Sequence, residues 1–237
     1  MKPEARHLPT VCWALAVALS ASVLVLSSCP LRATDHEADV ASIVERHNAH
    51  IRRALGTIES LSVQQDMYEP QADGRTLHAR AVLQYAAAEG MTREVLASNL
   101  SYPAGEYTLA TLVGPSLDPS EYRVRLDGEE TLDGVDCYRL AAEAIVRDRH
   151  HLDGHVWVSR VDCSLVRVSG RVSAPPFPIT EILLDKRFAP GPSGFSLLRS
   201  HAGEVRAGLV LGRKRGARNI SYSAYVINGT AEDGRPR

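Results

Sequence analysis

The sequence predicts a mainly β protein with one or two helices, built as a curved antiparallel sheet with an N-terminal helix packed against it. Three observations point there. First, about ten or eleven short runs alternate apolar and polar residues, the period of a half-buried strand. Second, the connections between the runs are too short for parallel crossovers, which leaves hairpins and meanders. Third, a single stretch shows clean helical spacing.

That stretch is Ala38–Leu55. Val40, Ile43, Val44, His47, Ile51 and Leu55 share one face, while Glu45, Arg46, Arg52 and Arg53 lie largely off it, and Gly56 is expected to stop the helix. The period then changes to two. Leu61, Val63, Gln65 and Met67 alternate with polar neighbours, and after the turn at Pro70–Gly74 so do Leu77, Ala79, Ala81, Leu83 and Tyr85. Further runs are Tyr122–Leu126, Cys137–Ala144, His155–Arg160, Leu165–Val172, Ile179–Phe188, Phe195–Ser200, Val205–Leu211 and Ile220–Ile227. Turn signals separate them at Asp127-Gly128, Asp133-Gly134, Asp153-Gly154, Ala174–Pro178 and Gly191–Gly194. Residues 89–120, with three prolines and several glycines, read as irregular, with room for a short helix or lid.

Composition narrows the function. The 237 residues are 44% apolar and 23% charged, enough for a globular core and unlike a disordered chain. Lys plus Arg number 27 against 28 Asp plus Glu, so the basic surplus a nucleic-acid binder needs is missing. Aromatics at 5% disfavour a base-stacking or sugar-binding platform.

The first residues read as an export leader. Lys2 and Arg6 precede Val11–Leu26, which is free of charge yet shorter than the roughly 20 residues a membrane span requires. It ends in Leu26-Ser27-Ser28-Cys29, a pattern that resembles the bacterial lipobox. An aliphatic residue and two small ones there give a peptidase access, and the cysteine thiol takes the lipid. Residues 1–28 are therefore expected to be a signal peptide, Cys29 the lipidation site, 29–38 a tether, 39–230 a single β domain and 231–237 a disordered tail. The alternatives are an ordinary cleaved signal and an uncleaved anchor. Three Asn-x-Ser/Thr sequons, at Asn99, Asn219 and Asn228, are read as chance in a bacterial chain.

In an oxidising compartment Cys137 and Cys163 invite a disulfide. If the strand from 137 pairs antiparallel with the one ending at 160, Cys137 falls opposite Cys163, within bridging reach. Two separate buried thiols are the alternative. Catalytic signatures are lacking: there is no nucleophile elbow, phosphate loop or dinucleotide fingerprint. His150, His151 and His155 with Asp148 and Asp153 form the densest set of metal-ligating types, but neighbouring residues of a strand point to opposite faces, so a solvated turn is favoured and no metal is assigned. His47 and His50, three apart on the helix, are explained equally well by packing. Glu129-Glu130 with Asp133 and Asp136 are read as solvated turns. Arg213–Arg218 is the one basic cluster, read as a charged hairpin tip.

The order of parts resembles the outer-membrane lipoprotein-sorting (LolA/LolB-like) superfamily. The resemblance rests on the lipobox, the single helix, the stretch YRVRLDGEETLDGVDCYRL at Tyr122–Leu140, GHVWVS at Gly154–Ser159 followed by LVRVS at Leu165–Ser169, and ISYSAYV at Ile220–Val226. It implies an incomplete β-barrel with a helical lid over an apolar cavity that holds acyl chains. Strand parity offers Val63, Met67, Leu83, Tyr85, Val124, Leu126, Tyr138 and Leu140 as the cavity lining. The implied protein is a non-catalytic, lipid-anchored envelope protein facing the periplasm, binding lipid or lipoprotein acyl chains without a cofactor. Pro30 replaces the aspartate linked in the family to inner-membrane retention, so the outer membrane is expected. The alternatives are a periplasmic sensor or interaction module of the same fold contacting a membrane protein partner and, less favoured, a metal-dependent hydrolase using the histidine turn.

Overall fold

A computed structural model describes residues 33–71, 73–100, 107–207 and 215–232. The expected leader, Cys29, Arg213 and Lys214 lie outside the described residues, while Arg215–Arg218 of the basic cluster are described. Helix α1 spans Ala33–Thr57. It begins earlier than its amphipathic pattern does and takes in residues 33–38 of the segment expected as a tether. Gly56 does not stop it but sits inside its last turn. Among the described residues no helix is long and apolar enough to cross a membrane.

The strands are β1 Ser60–Pro70, β2 Thr76–Ala86, β3 Gly90–Ser98, β4 Tyr122–Leu132, β5 Val135–Ala144, β6 Leu152–Ser159, β7 Leu165–Val172, β8 Ile179–Pro190, β9 Ser196–Ala207, β10 Arg215–Ile227 and β11 Thr230–Ala231. A short helix α2, Leu109–Val113, lies between β3 and β4. The strands form one 11-stranded antiparallel sheet in the order β3-β2-β1-β10-β9-β8-β7-β6-β5-β4, with β11 added to β10. Strands β3 and β4 are its two free edges, so the sheet is open, as expected of an incomplete barrel.

Several local expectations change. Residues 90–98 form an edge strand whose side chains are mostly exposed, so apolar alternation has no buried face to report. Asp127-Gly128 does not turn the chain. The register shifts between Leu126 and Gly128, and the backbone there is a bulge within β4, with Gly128 at φ 144°. The hairpin turn is the next pair, Asp133 (φ 50°) and Gly134 (φ 83°), both left-handed as a two-residue hairpin requires. Asp153-Gly154 is not a turn either, since both residues lie in β6. Ser196–Ala207 is one continuous strand instead of two. Ala231 is buried and Glu232 pairs with Arg199, so order persists past the point where the tail was expected. Residues 233–237 lie outside the described residues.

The expected disulfide is not formed: Cys137 and Cys163 are both free, buried thiols. The β5–β6 register sets Cys137 opposite Ser159, four residues short of Cys163. Cys163 sits in the following turn at φ 58°, and Cys137 Sγ instead donates to the Val135 carbonyl at 3.3 Å. Burial pushes both thiols up in pKa.

The core lies between the sheet and α1. Ile43, Ile51 and Ala54 of the helix and Ile58 just after it pack with Val63, Leu83, Leu140, Val156, Leu165, Leu197 and Ile227 of the strands. Two polar residues on the same helical face are just as buried, His47 and Asn48. The His47 ring lies 3.2 Å from the Cys163 carbonyl through Nδ1 and 3.1 Å from the Pro115 carbonyl through Nε2. Burial lowers its pKa although both carbonyls favour the charged ring. Packing therefore explains His47.

Gly56 faces open space. Gly56→Ala is expected to stabilise the protein by about 0.5–1 kcal/mol, because alanine is the better helix former. A denaturant melt checks this.

Candidate ligand-binding cavities

Helix α1 lies along the sheet without filling the space beneath it. At its N-terminal half, Val40, Ala41 and Val44 face Tyr122, Val124 and Leu126 of edge strand β4, with Leu117 and Pro119 at the base. These groups surround an apolar groove of about 760 Å³, with Arg125 and Asp127 at its rim. Leu117 is positioned by Asn48, whose Oδ1 accepts from the Leu117 N–H (2.7 Å) and whose Nδ2 donates to the Leu117 carbonyl (3.1 Å).

A second cavity, about 470 Å³, lies toward the C-terminal half of α1. Ile51 and Leu55 form one wall, the segment Thr108–Ser116 around α2 another, and Leu152, Val168, Val172, Leu184 and Lys186 the sheet side. Thr108 caps α2 through its side chain and Thr111 answers to the Thr108 backbone, a reciprocal box that fixes this wall. Gly114, at φ 110°, closes α2 against Leu165 and Phe188, where a Cβ would come within 2.2 Å of Leu165 Cδ2. Leu55 was expected in the core. It is 36% exposed, because its place there is taken by Ala54. Tyr122 borders both cavities.

Of the eight residues offered by parity as cavity lining, Val63, Met67, Leu83 and Leu140 are buried in the core. Tyr85, Val124, Leu126 and Tyr138 are half-buried against it, and of the eight only Val124 and Leu126 line the groove. Parity identifies the inward face, but only the position of α1 decides which part of that face stays open. Tyr138 is covered by the Arg160 guanidinium, 5.6 Å from the ring centroid.

The histidine turn does not gather. His151 Nδ1 lies 2.8 Å from Asp148 and Nε2 3.4 Å from Glu121, whereas His155 faces Asp127 at 3.2 Å. The hydrogen bond from His151 holds the Asp148 carboxyl down to about 2. Burial pulls the His151 pKa down, but the two carboxylates outweigh it and raise it. Among the described residues no group of three His, Cys, Asp or Glu side chains is arranged to hold a metal ion.

Sequence reading missed Lys186 and His201. They are register partners on β8 and β9 facing the helix side of the sheet. Burial lowers the Lys186 pKa, and burial together with Lys186 and Arg218 outweighs Asp185 to bring His201 down to about 4. His201 Nε2 is buried and has no partner among the described residues. The detectable signal was a lysine at the inward parity of Leu184.

The lowered His201 pKa makes stability acid-sensitive. The unfolded chain takes up this proton near 6.5 and the native state only near 4, so stability present at neutral pH is lost as pH falls through that window. Up to about 3 kcal/mol is at stake, and His47 acts in the same direction. Urea melts at pH 7 and 4.5 are expected to show the loss, and His201→Leu to reduce it.

No protein-family model matches the chain, and no curated protein does. Solved structures do match. A DUF1329 family protein from Desulfovibrio piger is 13% identical, with 80% of this chain and 93% of that chain covered and a TM-score of 0.47. LolA superfamily protein NE2245 from Nitrosomonas europaea is 14% identical, covering 78% and 92% with a TM-score of 0.42. A domain described as an outer membrane lipoprotein-sorting protein from Vibrio parahaemolyticus is 13% identical, covering 78% and 93% with a TM-score of 0.41. The chain is similar to these three structures over most of their length, at 13–14% identity.

Proposed function

We propose that this is a non-catalytic, lipid-anchored protein of the bacterial envelope, facing the periplasm, that binds lipid or the acyl chains of lipoproteins. The observation that carries the reading is the apolar groove between Val40–Val44 of α1 and Tyr122–Leu126 of β4. Its volume of about 760 Å³ falls within the range of small-molecule sites, about 300–1,000 Å³. Each methylene transferred from water into such a site gains about 0.8 kcal/mol, so half of one acyl chain already supplies several kcal/mol. The leader and the lipobox-like Leu26–Cys29 support export and anchoring through Cys29.

The test is gentle extraction of the full chain from membranes, followed by mass spectrometry of the bound lipid and of the N-terminus. Co-purified lipid and an acylated Cys29 are expected. Leu126→Asp places a charge in the groove and is expected to cut bound lipid more than tenfold with the circular dichroism spectrum unchanged. Lipid-free protein that crosslinks to a membrane protein partner would replace this reading with the interaction module.

A further inference from the structure

Strand β8 presents Leu184 and Lys186 to the second cavity, where the lysine joins Ile51, Leu55, Leu152 and Val168. The register fixes it there, opposite Val168 of β7 and His201 of β9. It is half-buried and lines the cavity. Lys186 has no carboxylate partner among the described residues. Its neighbour Asp185 belongs to the other face of the sheet and is held by Arg167, 2.8 Å through Nε and 3.0 Å through Nη2. The remaining acid of the cavity wall, Glu121, is 3.4 Å from His151, and Arg52 at the mouth pairs with Glu45 at 2.7 Å.

A buried ammonium without a counter-charge is unfavourable, and a packed hydrophobic side chain would serve the core better. His201 beside it is neutral at pH 7 and supplies no negative charge. The rest of the wall is mixed, with Arg52, Glu121, Arg149, His150 and His151 on the helix and loop side, but on the sheet side Lys186 stands among Leu152, Val168, Val172 and Leu184. A cation on that aliphatic wall matches a molecule with one anionic end and a hydrocarbon remainder.

We propose that the Lys186 cavity binds a single-chain amphiphile with an anionic head, a carboxylate or phosphate on Lys186 Nζ and the chain against Ile51, Leu55, Leu152 and Val168. This rests on the acyl-binding reading and specifies the head group.

The test uses the delipidated full chain in a displacement assay with a fluorescent fatty acid, below micellar concentrations. Palmitate, hexadecyl phosphate and hexadecanol share the same chain and differ in the head. At least one of the two anions is expected to bind about tenfold tighter than the alcohol, and which of them does so identifies the head. Lys186→Met is expected to abolish that preference while leaving hexadecanol affinity within about twofold. Lys186→Arg is expected to retain most of the preference, which separates charge from folding defects. Equal binding of all three by the native chain, or an anion preference that survives Lys186→Met, overturns the proposal and leaves acyl binding standing. Failure of all three to bind overturns both.

Discussion

Gly154→Ala is expected to destabilise the protein by about 3 kcal/mol or more, lowering its melting temperature by about 6–12 °C. Gly154 of β6 and Gly170 of β7 are register partners. A Cβ on Gly154 would come within 2.2 Å of the Ser169 carbonyl oxygen and 2.5 Å of the Gly170 Cα; one on Gly170 would meet the Asp153 oxygen at 2.4 Å. These obstacles are backbone, so no rotamer change relieves them. The two strands would have to separate, and with them the ladder carrying Val156 and Val168 of the core. Gly216→Ala is the control: it is another strand glycine, on β10, with open space where its Cβ would go. Thermal melts of the two variants should differ by nearly the whole effect.

The same glycine shows where sequence reading stops. Asp-Gly is a strong turn signal, and at Asp133-Gly134 it holds because the two-residue hairpin needs left-handed backbone. At Asp153-Gly154 the glycine is needed for space, and at Asp127-Gly128 for a bulge. The dipeptide alone does not distinguish these three uses, because the clash and the bulge depend on a partner strand. The alternation in β1, β2, β5 and β7 was legible since each has one face in the core. Strand β3, an edge with little burial, was not.

The candidate site divides along the same line. Val124 and Leu126 were legible because parity marks the inward face of β4. Leu117 and Pro119, the groove base, were not, because they come from a loop with no period. Lys186 breaks the apolar pattern of β8, and that break was itself the available clue. Asn48 left a comparable trace: with Val44, Ile51 and Leu55 it follows helical spacing, a lone amide on an apolar stripe.

Asn48→Leu is expected to cost about 3–4 kcal/mol, although leucine suits the stripe and has the same branched skeleton of side-chain heavy atoms as asparagine. The amide makes both hydrogen bonds of Leu117, at 2.7 and 3.1 Å, and Leu117 is only 1% exposed. Leucine would leave a buried N–H and a buried carbonyl without their partner, each costing about 1–3 kcal/mol, and a gain in apolar burial offsets only part of that. The bond also ties α1 to the loop that forms the base of the groove, so its loss acts on binding as well as on stability. Hydrogen exchange at the Leu117 amide is expected to speed up more than at Val63 in the central ladder, which reads local release of the helix apart from global unfolding. Bound lipid should fall in the same variant. An exchange rate raised equally at both amides would mean that Asn48 only stabilises the fold, with no separate hold on the groove.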